Sequence, residues 1–213
     1  MREAQFIRAN THLLPVPMVP EISLHLAAES LPIWQKTEEE LGRINVPPPW
    51  WAFAWAGGQA LARHVLDNPA VAAGRAVLDL GAGSGLGAIA ASKAGAASVL
   101  AADTDPFALA AMALNAEANG VAFETTGADL LGAPPGAFGL VVVGDLFYER
   151  PLAERALAFV SAARARGADV LVGDPERSYF PKARFSRIAE YSVPVTRDLE
   201  DMEIKRTAVW RLA

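Results

Sequence analysis

The sequence predicts an α/β fold: a mostly parallel sheet with helices on both faces, closed by an antiparallel pair at the C-terminal end. Three observations predict it. From residue 59 onward, short apolar runs alternate with helical stretches, as in a sheet built from strand–helix units. The run Val77-Leu78-Asp79-Leu80 breaks into Gly81, Gly83 and Gly85 before a helix over 86–93. The last β-rich runs, 191–195 and 204–212, are joined by a charged loop over 197–203 and suit an antiparallel pair.

Residues 1–58 read as an N-terminal extension whose aromatic segment packs on the core, and 59–213 as the main domain. A short helix is expected over 2–12. Pro15, Pro17 and Pro20 then force an extended path through 14–21. Alternation of Ile22, Leu24 and Leu26 suits a strand or extended edge over 22–29, and a helix follows over 32–42 with Glu38, Glu39 and Glu40 on one side. Pro47, Pro48 and Pro49 open a segment that holds Trp50, Trp51 and Trp55, three of the chain's five tryptophans, and ends at Gly58. It leads into a helix over 59–66. The segment is readable as a hydrophobic plug over the sheet and as the lining of a cleft, and the two are compatible. Aromatic faces suit a cation.

The glycine turn is the chemical centre of the chain. A strand that breaks into glycines and restarts as a helix brings bare backbone N–H groups against a ligand. Asp79 is an uncommon residue for a buried strand and demands a polar partner at the strand's carboxyl end. A dinucleotide fingerprint fails from Gly81, where the sixth position is Leu86, and fits from Gly83 only two residues late. The next strand, 98–102, runs into Asp103, which lies 22 residues beyond Gly81 and is placed to accept hydrogen bonds from ribose hydroxyls. Asp105, before Pro106, is the expected cap of a helix over 107–119. Gly120 ends that helix, a strand follows over 121–125, and Asp129 comes after it.

The run 140–144 is purely apolar and leads into Asp145-Leu146-Phe147-Tyr148. Carboxyl ends of central parallel strands face the ligand crevice, so Asp145 and Tyr148 belong there. Pro151 starts a helix over 151–164, and a strand over 168–172 leads to the lip Gly173–Tyr179, a candidate substrate contact. A helix is expected over 181–188.

Composition narrows the function classes. At 213 residues and a net charge of −5, the chain suits one domain and argues against a general nucleic-acid binder. The absence of cysteine excludes disulfides, a thiolate nucleophile and a zinc ribbon. His12, His25 and His64 give no ligand spacing, so no metal is expected. The longest uncharged stretch, 44–62, is broken by prolines and glycines and cannot span a membrane. The start lacks a signal-peptide layout. A cytoplasmic monomer with no nucleic-acid or membrane partner is the expectation.

The pattern Asp79-x-Gly81-x-Gly83-x-Gly85 resembles motif I of the S-adenosylmethionine-dependent methyltransferases. Asp145-x-x-Tyr148 resembles the signature after the fourth strand in a group of protein lysine methyltransferases. With the Trp50–Gly58 segment and the Gly173–Tyr179 lip, nearly the whole chain is similar to the electron transfer flavoprotein beta-subunit lysine methyltransferases, bacterial members included. The resemblance implies a Rossmann-like seven-stranded sheet and S-adenosylmethionine as methyl donor, with S-adenosylhomocysteine as product. It puts Asp79, Gly81, Gly83, Gly85, Asp103, Asp129 and Trp55 at the cofactor, with Asp129 toward the adenine amino group. Asp145 would hold the acceptor ammonium and Tyr148 would shape the pocket. The implied substrate is the electron transfer flavoprotein beta subunit, in a bacterial cytoplasm, since mitochondrial members need a targeting segment. The alternatives are a methyltransferase of a small amine or of another protein such as a ribosomal protein. Nucleic-acid amino methylation expects two prolines between the polar and aromatic residues after the fourth strand, and Leu146-Phe147 has neither. A non-catalytic binding module and a nicotinamide oxidoreductase are the remaining rivals.

Overall fold

The computed structural model describes residues 2–27, 48–195 and 202–213. The helix expected over 32–42, Pro47 and most of the 197–203 loop lie outside the described residues. In chain order the elements are α1 (Arg2–Asn10), β1 (His12–Val16), β2 (Val19–Leu26), α2 (Ala56–Asp67), β3 (Ala76–Leu80), α3 (Leu86–Lys93) and β4 (Ser98–Ala102). They continue with α4 (Pro106–Ala118), β5 (Glu124–Thr126), β6 (Leu140–Gly144), α5 (Arg150–Ala165), β7 (Asp169–Asp174), β8 (Phe185–Pro194) and β9 (Ile204–Leu212).

Among the described residues the main sheet has seven strands in the order β5-β4-β3-β6-β7-β9-β8. β3 pairs in parallel with both β4 and β6. β9 runs antiparallel between β7 and β8. The chain therefore steps outward from β3 to β5 and then returns to lay β6 on the other side of β3. That reversal opens a crevice at the carboxyl ends of β3 and β6, where open α/β sheets bind ligands.

Strand alternation divides the core into two layers. Val77, Val99, Ala101, Leu140, Val142 and Leu171 face α2, α3 and α4, whose Leu61, Ile89, Phe107 and Met112 fill that side. Leu78, Leu80, Val141, Val143, Val170 and Val172 face α5 through Ala156, Phe159 and Val160. Fully burying one such side chain contributes about 1.5–3 kcal/mol. The extended path read from the prolines is an antiparallel hairpin: it turns at Pro17-Met18 and pairs His12 with Leu26. Val16, Val19, Ile22 and Leu24 seat it on the first layer.

Two expectations are corrected. Residues 181–188 do not form a helix. Lys182–Arg184 makes a single 3-10 turn and β8 begins at Phe185. A bulge between Arg187 and Ala189 shifts the strand's phase. Apolar residues at 185, 188 and 189 then fall at helical spacing although the backbone is extended. The strand expected over 121–125 is shorter and later, Glu124–Thr126, while Val121 and Phe123 pack onto the first layer beneath the hairpin.

Candidate active site

The glycine turn takes its shape from three left-handed backbone positions. Gly81, Gly83 and Gly85 have φ of 68°, 51° and 81°, which a side chain rarely tolerates. Space is also tight at two of them. A Cβ on Gly81 would stand 2.8 Å from a Leu146 methyl, and one on Gly85 would stand 3.0 Å from Met112 Cγ. The turn is braced from below by Asn115 of α4, whose Nδ2 donates to the Ser84 carbonyl at 2.8 Å while its Oδ1 accepts from His25 N of β2.

Asp79 finds the polar partner that its burial demands. Its Oδ2 accepts from the Ala88 N–H, an otherwise unpaired donor in the first turn of α3, at 2.7 Å. Burial pushes its carboxyl up to about 7 against that hydrogen bond, and the Asp103 charge adds to the rise. Asp103 lies at the end of β4. Its Oδ2 accepts from Gly83 N at 2.8 Å and its Oδ1 from Asp105 N at 3.0 Å. Asp105 caps α4 through Phe107 N, and burial raises its carboxyl to about 6.

Above the turn lies a cavity of about 550 Å³, bordered by Gly81, Gly83, Asp103, Trp55, Asp145 and Tyr148. The structure thus brings together most residues that the sequence pointed to. It leaves Asp79 and Gly85 behind the wall. Asp79 borders a smaller hollow of about 60 Å³, which Gly81, Gly83, Trp55 and Asp145 also line. Asp129 reaches the cavity with its carboxylate already engaged: Oδ1 accepts from Leu131 N and Oδ2 pairs with Arg155 at 2.6 Å. The Arg155 guanidinium holds that carboxyl below its ordinary value.

The aromatic segment forms one side of the cavity. Trp51 is fully buried and stacks on Phe107 with ring centres 6.2 Å apart. Trp51 borders the cavity, and its buried indole Nε1 has no hydrogen-bond partner among the described residues. Trp55 donates its Nε1–H to the Trp50 carbonyl at 2.9 Å. Trp50 lies 6.1 Å from Tyr148, and both rings are about half exposed at the mouth, at 49% and 47%. Desolvation, with Glu149 and Asp103 nearby, raises the Tyr148 phenol above its ordinary value.

Asp145 follows β6 with a left-handed φ of 55°, a conformation that aspartate and asparagine accept more readily than other side chains. It is 8% exposed. Gly58 N, at the start of α2, donates to its Oδ2 at 2.8 Å, and Arg177 donates to its Oδ1 through Nε and Nη2 at 2.9 and 2.6 Å. Arg177 was not singled out in the sequence. Its signal was its place on the lip after β7. Asp174, at the end of β7, is fully buried. Its Oδ1 accepts from Arg177 N at 2.7 Å, while its Oδ2 has no hydrogen-bond partner among the described residues. Burial and the Asp145 charge raise its carboxyl to about 7.

These residues fit a nucleoside ligand with a cationic, aminoacyl-like arm. The left-handed glycines allow close backbone approach, the Asp103 carboxylate borders the cavity beside them, and the faces of Trp50, Trp55 and Tyr148 suit a cation. Among the described residues no cluster of His, Asp or Glu is arranged to hold a metal ion. No helix among them is long and apolar enough to cross a membrane.

Comparison with known proteins agrees with this geometry. The family profile described as ribosomal protein L11 methyltransferase (PrmA) matches residues 59–137, from α2 through the glycine turn to beyond Asp129. Among solved structures, the ribosomal protein L11 methylase of Lactobacillus delbrueckii subsp. bulgaricus superposes with a TM-score of 0.54 at 25% identity, over 76% of this chain and 80% of that one. The electron transfer flavoprotein beta subunit lysine methyltransferase of Danio rerio is 37% identical over 97% of this chain and 81% of its own length. The Mus musculus protein of the same name is 38% identical over 91% and 77%. At that identity and coverage the chain belongs to the electron transfer flavoprotein beta subunit lysine methyltransferase family.

Proposed function

We propose that the protein is an S-adenosylmethionine-dependent protein lysine N-methyltransferase whose substrate is the beta subunit of electron transfer flavoprotein. The observation that carries this reading is one cavity, at the crevice between β3 and β6, that holds both the glycine turn and Asp145 with its aromatic neighbours. When bound, S-adenosylmethionine supplies a methyl group already activated on a sulfonium. The chain's part is to align the acceptor in line with it and to exclude water.

In this reading Gly81 and Gly83 let the backbone approach the methionine arm and Asp103 takes the ribose hydroxyls. Asp129, with Arg155 beside it, lies toward the adenine. Trp55 covers the sulfonium end. Asp79 and Gly85 act at one remove, by fixing the start of α3 under the turn. Asp145 orients the acceptor amine and Tyr148 walls the acceptor channel. Asp145 is not the base, because the reference pKa of a carboxylic acid lies far below that of a lysine ammonium. The N-terminal residues 1–58 are an extension that closes the cavity with its tryptophans, upon the catalytic domain 59–213. The protein works as a monomer in a bacterial cytoplasm, without nucleic acid or membrane.

A ribosomal-protein acceptor is the second reading, favoured by the family profile and by the solved L11 methylase. Competition separates the two: purified beta subunit and ribosomal protein L11 are offered together with labelled S-adenosylmethionine. Label in the beta subunit supports the proposal, and label in L11 alone replaces it.

A further inference from the structure

We infer that Arg177 is a positioning residue of the acceptor site: it holds Asp145 and offsets its charge, so that the lysine amine reacts uncharged. The inference rests on the lysine methyltransferase reading given above.

The geometry is that of a built contact. Two guanidinium N–H groups converge on one Asp145 oxygen at 2.9 and 2.6 Å, while Gly58 N holds the other oxygen at 2.8 Å. The guanidinium carbon stands over the Trp55 ring, 5.6 Å from its centre. The side chains are 18% and 8% exposed, so water screens the pair little. The lip that carries Arg177 is tied at both ends. Arg177 N donates to Asp174 Oδ1, Phe180 N donates to the Arg177 carbonyl at 2.9 Å, and Tyr179 N donates to the Phe147 carbonyl at 3.2 Å. Arginine suits the place because it stays charged at every working pH and presents a rigid fork.

The chemistry requires such a residue. A lysine ammonium has no lone pair to give, and with an ordinary pKa near 10.4 only about one lysine in a few thousand is neutral at pH 7. A lone carboxylate beside the amine favours the charged form and raises that pKa. A guanidinium bonded to the carboxylate removes the penalty, and its own charge favours the neutral amine. The other groups around this end of the cavity are mostly acidic. Asp103 and Asp105 approach from β4 and α4, and Asp79 lies under the turn of β3. Tyr148 and Glu149 follow β6, Asp174 ends β7, and Asp129 is already paired with Arg155. Among the described residues Arg177 thus brings a cation onto Asp145 within this acidic surround. Once the ammonium has released its proton to water, the amine's lone pair forms the nitrogen–carbon bond as the carbon–sulfur bond breaks. The sulfonium leaves as a thioether.

The test is the pH dependence of single-turnover methylation of the beta subunit, with calorimetric S-adenosylhomocysteine affinity beside it, for the parent, Arg177→Lys and Arg177→Gln. Arg177→Gln is expected to move the acid limb of the profile up by about one pH unit, a loss of roughly tenfold near pH 7 that is regained as pH rises through the bound amine's own pKa. Arg177→Lys keeps most of the parent limb, and both variants bind S-adenosylhomocysteine within about threefold of the parent. An unmoved limb, an equal loss at every pH, or a loss of affinity that matches the loss of rate overturns the inference. A parent protein that binds S-adenosylhomocysteine yet methylates no lysine of this substrate rejects the underlying reading instead, and the inference falls with it.

Discussion

Gly57 and Gly173 exclude each other's side chains. A Cβ on Gly57 would collide with the Gly173 carbonyl, and a Cβ on Gly173 would collide with the Gly57 carbonyl. The first turn of α2 thereby rests directly on the end of β7. From there Gly58 N reaches the Asp145 carboxylate, and Asp145 N in turn donates to the Gly173 carbonyl at 3.0 Å. Alanine at either position must push helix and sheet apart. Overpacking of this kind costs about 1–3 kcal/mol, or more where backbone is the obstacle. Gly173→Ala should therefore lower Tm by several degrees, at roughly 2–4 °C per kcal/mol for a chain of this size. Methyl transfer should fall further than stability explains, because the Asp145 contacts shift with the helix. A thermal melt beside an activity assay checks this, and a Tm unchanged from the parent would contradict it.

Stability should decline as pH rises from about 4 to about 7. Three carboxyls, two buried and one half-buried, hold their protons longer in the fold than in the unfolded chain: Asp79 and Asp174 are pushed up to about 7 and the half-buried Asp105 to about 6, each mainly by desolvation. In that window the folded state carries more protons, so the slope of unfolding free energy against pH is negative. Their contribution is fully present below the unfolded pKa near 3.9 and is gone above about 7. Glu21, Asp129 and Glu190 are shifted the opposite way by arginine partners but are exposed and offset little, while His25 and His64, lowered by burial, oppose the decline in the upper part of the window. Asp174→Asn keeps an oxygen for Arg177 N and removes one titrating proton, so it should flatten the slope measured by urea denaturation. An equally steep slope in the variant would remove Asp174 from this account.

Asp103 joins the glycine turn to the ligand side of the cavity through Gly83 N. Asp103→Asn keeps one acceptor oxygen and loses the charge, while Asp103→Ala loses both. Net hydrogen bonds contribute about 0.5–1.5 kcal/mol, and those to charged groups about 1.5–3. S-adenosylhomocysteine affinity should thus weaken modestly for Asn and by roughly tenfold or more for Ala in calorimetry. Equal affinity in all three proteins would put Asp103 outside the cofactor site.

Trp50, Trp51 and Trp55 all border the cavity, and Trp51 is the one that is fully buried and stacked on Phe107. Binding of S-adenosylhomocysteine should quench intrinsic fluorescence, and Trp55→Phe should remove most of the change. A full quench in that variant would return the segment to a packing role.

Much of this was legible in the chain because the relevant signals are local. The β3–turn–α3 unit needs glycine at three successive left-handed positions, and only glycine marks such positions openly. The antiparallel end of the sheet was legible in the β-rich run that became β9. What escaped depends on distance or on phase. The bulge in β8 disguised a strand as a helix. Gly173 and Asp174 read as loop, yet they continue β7, because Ala208 and Val209 of β9 pair with them from far along the chain. Arg177 meets Asp145 across 32 residues, and no spacing rule connects a lip residue to the end of another strand. Asn115 looks like an ordinary mid-helix polar residue until the turn and the hairpin are both folded against it.

The central claim is that Asp145 orients a lysine of the electron transfer flavoprotein beta subunit for methyl transfer. Asp145→Asn tests it most directly, since asparagine tolerates the left-handed backbone and keeps the side chain's size. The measurement is single-turnover methylation of that subunit, read by peptide mass, with S-adenosylhomocysteine affinity measured on the same protein. The account predicts methyl addition to lysine by the parent and a fall of about a hundredfold or more in Asp145→Asn, since placing reactants can account for roughly 7–11 kcal/mol of a barrier. Cofactor affinity should stay near the parent value. Full turnover by Asp145→Asn would contradict the account.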